Sequence, residues 1–142
     1  ASYHLVGGAC VVVSCGTAIT VDLLSGDGRH RGGYIVPGLT SILSSINSSA
    51  RLIQIDKEQF SMSLLPGKAT DRAVFAGVSS MLLGVVENGI KQLSGSGEDK
   101  VQLILTGGDA EKLASFYSRA YLIPDLVLDG LVYVMGQLSL ME

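Results

Sequence analysis

Residues 10–35, CVVVSCGTAITVDLLSGDGRHRGGYI, carry the reading on which the fold rests. Cys10–Val13 is a continuous apolar run rich in β-branched valine, and a second strand, Ile19–Leu24, follows after Gly16. Ser25-Gly26-Asp27-Gly28 is a strong turn signal ahead of a third strand, His30–Ile35. Strand, tight turn and strand repeated in this way predict an antiparallel meander of three strands. Pro37-Gly38 ends the meander and opens a helix from Leu39 to about Ala50.

Downstream, the pattern changes period. Residues 51–66 are irregular, with a candidate short strand at Leu52–Ile55 and a turn at Pro66-Gly67. A long helix is predicted from about Ala69 to Leu93, with Val74, Val78, Met81, Leu82, Val85 and Leu93 on one side. It also carries a stripe of small residues, Ala73, Gly77, Ser80 and Gly84. Glycine inside a helix costs about 1 kcal/mol relative to alanine. The stripe therefore points to a close backbone approach, either on the sheet or at a subunit interface. A polar loop at 94–99 leads to a buried strand, Val101–Leu105, then to Thr106-Gly107-Gly108 and a helix capped by Asp109. A short strand near Tyr121–Ile123 and a last helix at about Leu126–Leu138 complete the chain. A three-strand meander followed by alternating helices and strands predicts a mixed α/β fold. The layout is that of one ribonuclease-H-like (actin-like ATPase) lobe, with no internal repeat or second domain.

Composition bounds the function. A chain of 142 residues can bury roughly 68–70% of its unfolded surface, enough for one domain without a metal or disulfide staple. Ten Lys and Arg against thirteen Asp and Glu leave a formal charge of −3, which argues against a nucleic-acid stripe or a polybasic membrane surface. Charged residues make up 16% of the chain and glycine reaches 18 residues, while mean hydropathy is +0.42. A typical soluble domain is about 25% charged, so surface covered by something else is expected. Residues 1–21 are uncharged but interrupted by polar residues and glycine, and Ala73–Val86 is read as too short to span a bilayer. With no export signal, a cytoplasmic protein is expected. Cys10 and Cys15 stand at an odd spacing on opposite faces of a strand and are read as buried free thiols.

Two loops could carry chemistry. In Ser14–Asp22, Gly16 allows a close backbone approach, and the Thr17 hydroxyl and nearby N–H groups can donate to phosphate oxygens. A plain hairpin turn explains the same residues. Thr106-Gly107-Gly108-Asp109 joins a buried strand to a helix start, a place that suits an anion or nucleotide. A Gly-rich loop with an ordinary Asp cap is the bland alternative. A Walker A loop at Lys68 fails at Met62 and Ala69, and a nucleophile elbow at Ser14 fails at Val12. Asp109 and Asp129 as a hydrolytic pair have no local support over helix caps.

Taken together and in order, GTAITVD (16–22), GGYIVPGL (32–39), PGKAT (66–70), LTGGDA (105–110) and PDLVLDGL (124–131) are far more specific. They resemble the C-terminal half of type III pantothenate kinases across nearly the whole chain. That resemblance implies ATP-dependent phosphorylation of pantothenate, the first step of coenzyme A synthesis, by a homodimer of two-lobed subunits. It implies ATP contacts from Gly16 and Thr17, an adenosine-side loop at Thr106, Gly107 and Gly108, and a pantothenate contact from Thr70, with Ala69 in place of the commoner Ser or Thr. Mg²⁺ would accompany ATP. The position of Ser14 is usually an aspartate that binds a monovalent cation (K⁺ or NH₄⁺); a neutral hydroxyl is a far poorer ligand, which implies a weakened cation site. The DxGNT phosphate loop and the GxDR motif, whose Asp is the general base, are not found here. The resemblance therefore implies that the N-terminal lobe lies outside this chain and that the chain alone is inactive. An accessory or regulatory protein of the same family that has lost catalysis is the alternative, supported by Ser14, and another sugar-kinase-like activity is a third.

Overall fold

The computed structural model describes residues 2–50 and 53–139. β1 (Cys10–Cys15), β2 (Ala18–Leu24) and β3 (His30–Pro37) form the expected meander, with Val13 opposite Val21 and Thr20 opposite Ile35. β4 (Gln102–Thr106) then pairs parallel with β1, and β5 (Tyr121–Leu122) pairs parallel with β4. The sheet order is β3-β2-β1-β4-β5. Three antiparallel strands extended by two parallel ones that are reached through helices make the expected mixed α/β sheet.

β1 is flanked on both sides, which is why its run of valines is buried on both faces. On one face Val11, Val13, Ile19, Val21 and Leu105 meet α2 (Leu39–Ser49), α3 (Thr70–Ser94) and α4 (Ala110–Ala114) in the main core. On the other, Cys10, Val12 and Ile104 meet Leu126 of α5 (Leu126–Ser139), while the short α1 (Ser2–Val6) supplies Val6. The two thiols thus sit on opposite faces, as their spacing predicts, and both are free.

Several expectations need correction. Leu52 lies outside the described residues, and Ile53–Ile55 forms no strand. Instead the Asn47 side chain pairs with this stretch as a strand would: its amide donates to the Ile55 carbonyl (2.9 Å) and its oxygen accepts the Ile55 N–H (2.7 Å). The buried face of α3 is turned by about one residue from the predicted stripe. Phe75, Val78, Leu82, Val86 and Leu93 are buried, Val74 and Val85 flank them, and Met81 is half exposed. Ala73, Gly77, Ser80 and Gly84 all face outward, and added methyls at Gly77 and Gly84 would meet nothing within 4 Å. The close approach to the sheet comes at Gly89, where a methyl would stand 3.1 Å from Val21 Cγ1. At 25 residues, α3 is also long and apolar enough to cross a membrane by length and composition, contrary to the shorter segment expected. Its buried face, however, is seated on the sheet.

Candidate functional site

Three stretches distant in sequence meet at the end of β1. The chain turns at Gly16-Thr17 into β2, with the Gly16 N–H donating to the Ala18 carbonyl (3.1 Å). Gly38 closes over this turn and donates its N–H to the Thr17 carbonyl (3.0 Å). A methyl on Gly38 would lie 2.5 Å from the Thr17 oxygen, so only glycine lets the two backbones touch. From the other side comes Gly107, at φ +91°, a conformation L side chains rarely adopt. A methyl there would lie 2.8 Å from the carbonyl carbon and 2.9 Å from the nitrogen of Cys15, and closer still to its oxygen. Two residues later the Asp109 N–H donates to the same Cys15 carbonyl (3.2 Å).

Between these backbones lies a cleft of about 330 Å³ lined by Gly16, Thr17, Thr40, Ser41 and Asp109. Thr17, Thr40 and Ser41 bring three hydroxyls to it. Thr40 and Ser41 also stand in the first turn of α2, whose N-cap residue Gly38 has no side chain to occupy the free N–H groups. Such a donor set suits the oxygens of a phosphate. Asp109 is the one carboxylate in the lining, and Lys112 engages it. Asp109 holds the N-cap position of α4 but makes no side-chain cap bond, which corrects the expected cap.

Sequence reasoning missed Thr40 and Ser41. The signal was present in Pro37-Gly38 followed by a helix, but the contact that swings this helix start onto the Thr17 turn is long-range. Thr106 is buried, and its hydroxyl donates to the Pro124 carbonyl (3.1 Å), tying β4 to the lead-in of α5. Gly107 and exposed Gly108 carry the loop on to Asp109. Ser14 is half-buried on β1, opposite Thr20 on β2 and Thr106 on β4, on the face away from Cys15. Among the described residues no group of three His, Cys, Asp or Glu could hold a metal ion. Asp109 and Asp129 lie on helices covering opposite faces of the sheet and are not brought together.

Thr70 is the first residue of α3, is exposed, and does not line the cleft with Thr17. Its neighbours Lys68 and Arg72 line a second cavity of about 320 Å³. Burial raises the thiol pKa of Cys15 to about 11, with Asp109 adding to the shift, and burial raises that of Cys10 equally to about 11. Neither is a nucleophile near neutral pH.

Comparison with known proteins identifies relatives of this chain. Residues 1–92 match the family model of type III pantothenate kinase. The type III pantothenate kinase of Azotobacter vinelandii is 38% identical over 135 residues, covering 92% of this chain and 54% of that protein. The enzyme of the same name from Pseudomonas aeruginosa is 40% identical over 134 residues, again 92% of this chain and 54% of the relative. A crystal structure from Campylobacter jejuni, described as of the Baf family of transcriptional activators, superposes with a TM-score of 0.72 at 26% identity, covering 96% of this chain and 61% of that one. The chain spans about half the length of the curated relatives it matches. The matched segment covers the meander, the Gly16-Thr17 turn and all but the last two residues of α3, and on it the chain belongs to the type III pantothenate kinase family.

Proposed function

We propose that this chain is the C-terminal lobe of a two-lobed, homodimeric cytoplasmic kinase. The kinase transfers the γ-phosphate of ATP to the primary hydroxyl of pantothenate, giving 4′-phosphopantothenate. The observation that carries the reading is the convergence of the Gly16-Thr17 turn, the Gly38–Ser41 helix start and the Gly107–Asp109 loop on one hydroxyl-lined cleft. Phosphoryl transfer depends mostly on positioning and charge stabilisation, which is the work a rigid set of phosphate donors performs. In this reading Gly16 and Thr17, joined by Thr40 and Ser41, hold phosphate oxygens. Thr106, Gly107 and Gly108 form the adenosine-side loop, and Thr70 contacts pantothenate. Mg²⁺ supplies charge neutralisation to ATP when bound, and it would be held largely through the phosphates, as this ion commonly is. The general base and the DxGNT loop are assigned to the N-terminal lobe.

Two exposed surfaces support the assembly. On α5, Val127, Leu128, Leu131, Val132 and Met135 are each between 56% and 71% exposed, far more apolar surface than a helix normally leaves to water. It suits the N-terminal lobe. The outward small stripe of α3 borders an apolar groove between Ile42, Ile46, Val74 and Met81, which suits a second subunit.

The full-length protein is tested by coupling ADP release to a spectrophotometric readout. Pantothenate-dependent ADP formation is expected; its absence with Mg·ATP at any K⁺ or NH₄⁺ concentration overturns the proposal. Ser14 favours a second reading, an accessory or regulatory family member without catalysis. An intact GxDR sequence in the full-length protein selects the kinase, and its loss selects the accessory protein.

A further inference from the structure

We propose that Lys68 and Arg72 form the point at which the substrate carboxylate is recognised and are the specificity-determining cations of the pantothenate site. This rests on the function proposed above. The second cavity has a volume of about 320 Å³, and its lining includes Ser61, Ser63, Leu65, Lys68, Arg72 and Phe75. Volumes of about 300 Å³ and more are those of small-molecule sites. Its walls are fixed before any ligand arrives. The Ser63 N–H donates to Ser79 Oγ (3.0 Å), and buried Ser79 in turn donates to the Phe75 carbonyl (2.7 Å), which pins the 61–65 stretch onto α3. Phe75 is buried and packs edge-on against Phe60 at 5.2 Å.

The charge of this cavity is opposite to that of the chain. Both charged groups in the lining are cations, in a protein of net charge −3. Arg72 reaches only Asp71, loosely, at 3.9 Å. Lys68 makes no ion pair among the described residues. Two under-used cations, two serines and the apolar Phe75 and Leu65 in one lining select a particular ligand. It carries one carboxylate, a short aliphatic body and groups able to bond hydroxyls. Pantothenate has these parts, and Lys68 and Arg72 stand two residues either side of Thr70, the residue assigned above to contact it.

The test compares pantothenate with pantothenyl alcohol, its uncharged counterpart, in the full-length enzyme. Lys68→Met and Arg72→Gln should each raise KM for pantothenate about 10-fold or more, the usual scale for losing a hydrogen bond to a charged group. The kcat and the KM for ATP should stay within about 2-fold, and inhibition by pantothenyl alcohol should be unchanged. Lys68→Arg and Arg72→Lys should restore most of the loss. Both side chains are exposed, so the variants keep the fold. An unchanged KM for pantothenate, a parallel loss for acid and alcohol, or an effect on ATP instead overturns the assignment. If the unsubstituted enzyme transfers no phosphate, it is the proposed function that fails. Equilibrium dialysis with labelled pantothenate then decides the site by itself: binding lost in both variants supports it, and binding absent from the unsubstituted protein or kept by both variants overturns it.

Discussion

Replacing Gly107 with alanine puts the geometry of the cleft at Thr17 under direct strain. At φ +91° an L side chain costs about 1–2 kcal/mol from its own backbone. The added methyl also falls within 2.9 Å of the backbone carbon and nitrogen of Cys15, neither of which can rotate away. Moving the end of β1 to make room costs a further 1–3 kcal/mol or so, the range for overpacking a tight site. The expected loss is about 2–5 kcal/mol. Gly108→Ala is the internal control, since a methyl there meets nothing within 4 Å and its φ is ordinary; it should stay within about 0.5 kcal/mol. Urea unfolding of the two variants beside the parent chain reads the difference. For a chain of this size 1 kcal/mol corresponds to roughly 3–4 °C, so thermal scans should show Gly107→Ala lower by at least about 6 °C. Equal losses at both positions, or a Gly107→Ala variant as stable as the parent, would refute the packing of this loop on Cys15.

Other expectations follow from the same contacts. Gly77→Ala and Gly84→Ala, with open space around both positions, should stabilise the isolated chain by about 0.5–1 kcal/mol each through helix propensity. In the full-length protein the same changes should weaken dimerisation, measured by sedimentation. Cys10 and Cys15 should resist a disulfide reagent at pH 8 until the chain is unfolded. Because burial raises both thiols to about 11 from an ordinary 9.0, the folded state holds their protons more tightly than the unfolded state. The stability they contribute is full below about pH 9 and lost as pH rises through 11, visible as a falling urea midpoint. In the full-length enzyme, Ser14→Asp should increase the stimulation of turnover by K⁺ relative to Na⁺ by several-fold, because a carboxylate replaces a neutral hydroxyl; equal ratios in both proteins would contradict the reading of this position.

The parts of the fold that were legible in sequence are those decided locally. Val11–Val13 flanked by Gly16, and Ser25–Gly28 before His30, specify strands and turns through β-branching and turn chemistry alone, and the antiparallel meander appears. What escaped depends on partners far away in the chain. Ile53 and Ile55 look like a strand, yet the Asn47 side chain takes the backbone bonds that a neighbouring strand would have made. On α3, apolar residues occur on more than one side, so periodicity alone could not choose between Met81 and Phe75 for the buried face. Within the cleft, Gly16, Thr17 and the Gly107 loop were legible as glycine-bearing turns. Thr40 and Ser41 were not, because only the contact of Gly38 with Thr17 carries them there. Likewise Thr106 reads as a loop residue but spends its hydroxyl on Pro124.

The central claim is that the cleft at Thr17 holds the phosphates of ATP during transfer to pantothenate. It is tested most directly by following the γ-phosphate of labelled ATP into 4′-phosphopantothenate with the full-length protein and its Thr17→Ala variant. Thr17 is exposed, so the variant keeps the fold. Labelled product from the parent, with kcat/KM for ATP about 10- to 100-fold lower in the variant, is the result the account predicts. No labelled product from the parent, or equal rates from the two proteins, would contradict it.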